Sequence, residues 1–161
     1  MMSHSWIHIK CTQNSLGQIT NLKNVSSYKE LVNPLEYEFD LEKEKIYAVI
    51  GVEMWKGTPW IYVVPHTRQP SDEIQIVPAV FFEFSWQDIP YDWCIKMDKE
   101  TEDNLEILPK FLASTPHWFE KYVDEDEKVL ELIHQEILNT THGLEVLRQE
   151  DRYSWPFEEY K

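Results

Sequence analysis

The chain has 161 residues, of which 29 are acidic and 15 basic, so its formal net charge is −14 at pH 7. This length allows one domain with a substantial core, and 42% hydrophobic residues with seven tryptophans exclude a disordered chain. The negative charge disfavours nucleic acid and anionic membranes as partners, whereas it would attract a basic protein. The simpler alternative is that the acidity only keeps the protein soluble.

The cysteine content and the apolar segments bear on cellular location. Cys11 and Cys94 are too far apart to form a zinc pattern, and a single disulfide would be a weak scaffold for a secreted protein. Residues 1–10 lack the basic segment and long apolar run of a signal peptide. No apolar segment approaches the roughly 18 residues that cross a bilayer. We therefore expect a cytoplasmic protein.

Three elements are predicted in the first forty residues. Apolar residues alternate with polar ones over residues 6–11, which predicts a strand. Residues 26–32 predict a short helix that ends before Pro34. Residues 35–41 alternate again and predict a strand whose solvent face carries Glu36, Glu38 and Asp40.

The stretch from Ile46 to Phe84 has the densest β-branched and aromatic content in the chain. Residues 46–54 are nearly all apolar and predict a buried strand, in which Gly51 marks a bulge or a close backbone approach. Residues 56–59 predict a hairpin turn before a return strand over residues 60–64. Further strands are predicted over residues 73–77, 80–84 and 91–97.

Helices are predicted after an acidic break at residues 98–104. Residues 105–113 predict a loose helix that Pro109 interrupts. Thr115 followed by Pro116 predicts the start of a short helix. Asp124 as the N-cap, with Glu127 three residues later, predicts a longer helix that ends at Gly143.

These elements together predict an α+β fold in a single domain of residues 1–161. Short turns join the strands, and no helix between them is long enough for a parallel crossover. We therefore expect an N-terminal antiparallel sheet that is strongly bent or closed into a small barrel, with C-terminal helices packed on it. The β-rich part covers residues 1–97, the helical part residues 105–143 and a C-terminal arm residues 144–161.

Catalytic and cofactor-binding patterns are missing from the sequence. We find no phosphate-binding loop, dinucleotide-binding pattern or nucleophile elbow, so we expect no catalytic site, no cofactor and no metal. His4 and His8 are four residues apart in a strand-like segment, where this spacing does not suit a metal. Cys94 is best interpreted as a small buried hydrophobe. Glu53 and Glu83 would form a glycosidase-like pair only across a cleft, and alternation places both more simply in solvent.

Hydrophobic strand residues carry one resemblance to known proteins. They are Tyr47-Ala-Val-Ile-Gly-Val52, Trp60-Ile-Tyr62, Pro78, Phe81-Phe-Glu-Phe84 and an aromatic-acidic segment ending near Trp93. This pattern resembles small, poorly characterised bacterial proteins that are proposed to act as immunity proteins of toxin–immunity systems. The resemblance implies a rigid acidic surface that occludes the active site of a basic toxin.

A non-catalytic protein-binding module is accordingly the expected function. The predicted partner-binding residues are Glu36, Glu38, Asp40, Trp118, Asp124, Glu125, Asp126 and Glu127. Two alternatives stay open. The first is a small enzyme whose sheet encloses a carboxylate-lined pocket with Glu53, Glu83 or His66 at its mouth. The second is a homo-oligomeric structural or adaptor protein joined through an exposed strand edge.

Overall fold

Alternating apolar residues in the first two thirds of the chain build one antiparallel sheet. The computed structural model describes residues 6–84, 89–97 and 104–138, apart from the side chains of Leu22 and Asn24. Within these residues the sheet has seven strands. They are β1 (Ile7–Cys11), β2 (Ile46–Trp55), β3 (Thr58–Pro65), β4 (Gln75–Pro78), β5 (Phe82–Glu83), β6 (Trp93–Met97) and β7 (Leu105–Pro109). The sheet curls strongly into a half-barrel, and the few helices are mostly C-terminal, so the predicted α+β class and bent antiparallel sheet are confirmed.

The ten-residue strand β2 lies at the centre of the sheet. Strand β3 pairs along one edge of β2, and β4 pairs with the outer edge of β3. The other edge of β2 carries two strands end to end. Its first half pairs with β1, which in turn pairs with β5. Its second half pairs with β7, which in turn pairs with β6. The sheet therefore branches at the middle of β2.

Gly51 occupies this branch point. The register between β2 and β3 shifts between Val49 and Gly51, which confirms the predicted bulge. A Cβ atom at position 51 would overlap Cδ2 of Leu108, which is fully buried in β7. Glycine suits this position because any larger residue would force the packed Leu108 side chain to move.

The β2–β3 hairpin is also confirmed, with a tighter turn than predicted. Trp55 pairs with Thr58, so the turn contains two residues, Lys56 and Gly57. Both have positive φ angles, 51° and 73°. Positive φ at both central positions defines the type I′ turn, whose twist matches that of the flanking strands.

Both faces of the sheet are buried, in two separate layers of core. One face packs against the segment between β1 and β2, and the other packs against the C-terminal helices. Alternation in β2 and β3 sends Tyr47, Val49, Ile61 and Val63 to the first layer and Ala48, Ile50, Tyr62 and Val64 to the second. The sheet is therefore the middle of three layers.

The segment between β1 and β2 differs from its prediction. The helix predicted over residues 26–32 is wrong, because residues 27–32 are not helical. The helix found here is α1 (Leu22–Ser26), and the Asn21 side chain caps it by accepting from the Lys23 N–H. The predicted strand over residues 35–41 is wrong. Its backbone bonds to the loop after β1 instead: the Phe39 N–H donates to the Asn14 carbonyl at 2.8 Å.

The segment after β4 also departs from prediction. Instead of a strand over residues 80–84, Ala79–Phe81 form a 3₁₀ turn, and only the two residues of β5 pair with β1. The predicted loose helix over residues 105–113 is wrong in its first half, because β7 pairs with both β2 and β6 there. Only α2 (Lys110–Ala113) is helical.

The remaining helices are α3 (Trp118–Val123) and α4 (Glu127–Ile133), followed by a π-helical turn (His134–Leu138). Helix α3 starts after the predicted Thr115 cap, because the Thr115 hydroxyl donates to the Phe111 carbonyl. Asp124 ends α3, and Asp126 is the N-cap of α4, accepting from the Val129 N–H at 3.1 Å. The predicted helix end at Gly143 and the arm of residues 144–161 lie outside the described residues. None of the described helices is long and apolar enough to span a bilayer.

Replacing Gly51 with alanine should destabilise the protein by about 1–3 kcal/mol, because the new methyl group would overlap Leu108 in a packed core. Urea unfolding of the two proteins measures this difference. Gly17→Ala is the matched control, since a Cβ there meets nothing closer than 3.6 Å and should change stability by less than about 1 kcal/mol. Equal effects of both substitutions would contradict the close approach at the branch point.

Candidate functional site

Three of the predicted partner-binding residues lie within three positions of an exposed aromatic residue in the chain. Glu36, Glu38 and Asp40 are exposed, as predicted from their alternation, although they do not lie in a strand. Tyr37, between the first two, has 55% of its surface exposed. We call Glu36, Tyr37, Glu38 and Asp40 the Tyr37 surface. Alternation over residues 35–41 predicted Tyr37 on the buried face of a strand, so its exposure could not be seen in the sequence.

The ring of Tyr37 packs on Phe39, which in turn packs on Phe81. Its centroid lies 5.0 Å from that of Phe39, and Phe39 lies 5.2 Å from Phe81, both in edge-to-face geometry. Phe81 is fully buried, so this chain of rings connects the surface to the core. The backbone is fixed as well, because the Asp40 carbonyl accepts from the Gln75 side chain at 2.9 Å.

The second predicted acidic stretch lies at the junction of α3 and α4. Asp124, Glu125, Asp126 and Glu127 are all exposed. Asp126 is engaged as the cap of α4, and Glu125 has a left-handed backbone with φ of 59°. Helices α3 and α4 pack on one face of the sheet, whereas the segment bearing the Tyr37 surface packs on the other. The structure therefore does not bring the two acidic stretches into one continuous surface.

Trp118 cannot contact a partner in this structure. Only 3% of its surface is exposed, and its ring lies 4.8 Å from that of Tyr62 and 5.4 Å from that of Phe119. The expectation that its side chain is exposed is therefore wrong. The reason is that α3 packs on the sheet through this side, which makes Trp118 part of the second core layer.

The carboxylates considered for catalysis are not brought together. The buried Tyr62 hydroxyl donates to Glu53 at 2.7 Å. Burial and the nearby negative charges of Glu53 and Glu106 raise the pKa of Tyr62, so the phenol keeps its proton. Glu83 is exposed on β5 and lies opposite Lys10, well away from this pair. Glu53 and Glu83 therefore do not form an acid–base pair.

A buried basic cluster is a feature that sequence reasoning missed. His8 lies opposite Ala48, on the sheet face that the helices cover, and its ring centroid lies 4.7 Å from that of His66. Arg68 is also buried, and its Nε donates to the Ile137 carbonyl of the π-helical turn at 2.6 Å. The signal in the sequence was weak, because Arg68 belongs to a polar loop that suggests an exposed side chain.

Burial changes the acid–base behaviour of this cluster. Loss of hydration, with smaller effects of His66 and Arg68, lowers the pKa of His8 to about 3. Burial also lowers the pKa of Arg68 to about 10, which leaves it charged at neutral pH. The cluster therefore holds one permanent positive charge beside a histidine that stays neutral. This arrangement fits a structural role, in which the hydrogen bond of Arg68 joins the loop after β3 to the C-terminal helices.

Metal binding and similarity to known proteins add no further assignment. Among the described residues, no group of three or more His, Cys, Asp or Glu is placed to hold a metal ion. Comparisons with protein-family models, with curated proteins and with solved structures found no match to this chain. Function must therefore be inferred from the chemistry of its residues.

The buried state of His8 predicts how stability depends on pH. Its pKa is about 3 in the folded protein and 6.5 when exposed, so the unfolded chain binds the proton first as pH falls. The stability that neutral, buried His8 contributes is fully present above pH 6.5. As the pH falls towards 3, the free energy of unfolding decreases by up to about 1.4 kcal/mol per pH unit. In His8→Phe, the free energy of unfolding should fall less steeply between pH 6.5 and 5. Denaturant unfolding at several pH values measures the slope.

The exposed residue Val123 supplies the control for this prediction. In Val123→Phe the slope should match that of the unmodified protein, because this substitution removes no titrating group. If His8→Phe and Val123→Phe gave the same slope, His8 would not be the residue that couples folding to the binding of protons.

Proposed function

We propose that this chain is an acidic, non-catalytic module that binds a basic protein partner through the Tyr37 surface. The observation that carries this proposal is an exposed tyrosine, anchored to the core through Phe39 and Phe81, among three exposed carboxylates. We further propose that the partner is a toxin in the cytoplasm and that the bound module occludes its active site.

The chemistry of protein interfaces supports an anchored tyrosine as the centre of such a surface. Tyrosine is enriched among the few residues that contribute most of the binding energy, because its large ring is rigid and its hydroxyl still forms hydrogen bonds. A ring already held in place loses little conformational entropy on binding. Tyr37 meets both conditions, since it is more than half exposed and packs edge-to-face on Phe39.

Charge supports the choice of a basic partner. With a net charge of −14, the chain attracts a positively charged protein over several ångströms and accelerates their encounter. A toxin that acts on nucleic acid needs a basic site for phosphates, and the carboxylates of the Tyr37 surface could occupy that site. The resemblance of residues 46–93 to proposed immunity proteins agrees with this proposal.

The Tyr37 surface is favoured over the acidic stretch at the α3–α4 junction for a structural reason. Both stretches present carboxylates, but the aromatic residue expected beside the second one, Trp118, is buried. Charges at the rim of an interface mainly affect the rate of encounter, whereas a central aromatic residue contributes to affinity. Substitutions at the α3–α4 junction therefore serve as a control, because they can change the net charge by the same amount as substitutions at the Tyr37 surface.

Charge and ring substitutions at the Tyr37 surface test the proposal. The partner is first captured from the source cell on immobilised chain, and the protein encoded beside this gene is co-expressed as the first candidate. Tyr37→Ala should weaken its binding by about 2 kcal/mol. The triple variant Glu36→Lys, Glu38→Lys, Asp40→Lys should lower both the affinity and its salt dependence, because three attractive charges become repulsive. Isothermal titration calorimetry at two salt concentrations measures both effects.

A second triple variant controls for net charge. Asp124→Lys, Glu125→Lys, Glu127→Lys changes the charge by the same +6 on the other side of the sheet and spares the capping residue Asp126. It should slow association slightly and leave the affinity close to that of the unmodified chain. Equal losses in both triple variants would show that only total charge matters, and unchanged affinity in Tyr37→Ala would refute this surface as the binding site.

A further inference from the structure

The open edges of the sheet differ in how they are protected. An unpaired strand edge presents free N–H and C=O groups that invite another strand. Strand β4 has four residues, ends at Pro78 and is held by the Gln75 side chain against Asp40. Strand β5 has only two residues. Among the strands that the structure describes, β6 has five residues and pairs with β7 alone.

The exposed side chains of β6 are apolar. Ile95 and Met97 lie on the same face of the strand and have 64% and 69% of their surfaces exposed. Ile95 continues an apolar row across the sheet, because it lies opposite Ile107, and Ile107 lies opposite Val52. Natural edge strands are protected by charged side chains, prolines, bulges, short length or a covering segment. The only charged residue of β6 is Lys96, and it lies on the other face.

We propose that β6 pairs antiparallel with β6 of a second copy, which forms a two-fold symmetric dimer with a continuous sheet. In the register centred on Ile95, this residue lies opposite its counterpart, and Trp93 lies opposite Met97 of the second copy. The row from Val52 through Ile107 to Ile95 then continues through the same three residues of the other copy. Direct apposition of β-branched side chains in this way stabilises antiparallel pairs.

Charge within the strand is compatible with this register. Lys96, the one charge in β6, lies opposite the uncharged Cys94 of the second copy. No like charges within β6 face each other directly, so the pairing avoids the cost of opposed like charges. The remainder of each copy carries a net negative charge, and two such bodies repel each other. The dimer should therefore tighten as salt rises, the opposite of the salt effect expected for a basic partner.

The exposed apolar residues of β6 fit a small interface rather than a permanent one. Stable protein interfaces bury roughly 800 Å² on each partner, and a five-residue strand alone supplies less than this. Ile89 and Tyr91, which precede β6 directly in the chain, are also more than half exposed and extend the apolar surface. We therefore expect a dimer that dissociates on dilution rather than a permanent one.

Sedimentation velocity of the full chain over a wide concentration range tests the dimer. The unmodified chain should shift from monomer to dimer as concentration rises, and more readily at high salt. Ile95→Lys should weaken dimerisation roughly ten-fold or more, because it removes an apolar contact and places two lysines opposite each other at the symmetry axis. Val123→Lys is the control: it makes the same charge change at an exposed apolar residue of α3 and should dimerise like the unmodified chain.

A cysteine pair tests the register independently of stability. In a Cys94→Ser background, Ile95→Cys should form a disulfide-linked dimer under mild oxidation, because directly opposed residues of antiparallel strands have Cα atoms about 5 Å apart. Met97→Cys in the same background lies opposite Trp93 and should stay unlinked. Non-reducing electrophoresis distinguishes the two.

Three results would overturn the dimer. The first is a monomer at every concentration and salt level. The second is equal dimerisation of Ile95→Lys and Val123→Lys. The third is a monomer whose binding to another protein is abolished by Ile95→Lys, which would assign the edge to a different partner. None of these bears on the Tyr37 surface, whose test uses separate residues.

Discussion

The constraint on which the rest of the structure depends is that the central strand β2 is apolar on both faces. Residues 47–50 are all buried, with successive side chains directed to opposite sides of the sheet. A strand of this kind is stable only if both faces are covered. The segment between β1 and β2 covers one face, and helices α2–α4 cover the other. The three-layer arrangement, the burial of Trp118 and the burial of Arg68 under the π-helical turn all follow from this requirement.

A second consequence starts from the bulge at Gly51. The bulge lies where β2 changes partner from β1 to β7, and the absence of a side chain lets Leu108 close the gap. The β6–β7 hairpin is thereby attached to one end of the sheet and projects its outer strand into solvent. The bulge that lets the sheet branch thus also leaves β6 as the least protected edge among the strands that the structure describes.

The two proposed surfaces use different physical effects. The Tyr37 surface relies on long-range charge to attract a partner and on an anchored ring to hold it. The β6 edge relies on backbone hydrogen bonds and apolar contact, and charge opposes it. A dimer formed through β6 would carry two Tyr37 surfaces, one on each copy. Paired binding sites raise the apparent affinity for a partner that can engage both.

The sequence by itself determined the strands whose pattern and turns agree. Alternation predicted β1, the apolar run and its glycine predicted β2 with its bulge, and residues 56–59 predicted the hairpin. These signals are local, because the period of side chains and the φ preference of glycine do not depend on distant residues. The fold class followed from the short connections between strands, and the exposure of Glu36, Glu38 and Asp40 followed from their alternation.

Only the tertiary structure decided what each surface packs against. Residues 35–41 alternate like a strand, yet their backbone forms hydrogen bonds with the backbone of Asn14 and Gly17 rather than with the backbone of a strand. Residues 105–109 became a strand because β2, some fifty residues earlier in the chain, offered an open edge. Tyr37 is exposed and Trp118 is buried because distant parts of the chain decide what packs on each of them. An alternating pattern specifies which side chains share a face, but the segment that covers that face comes from elsewhere in the chain.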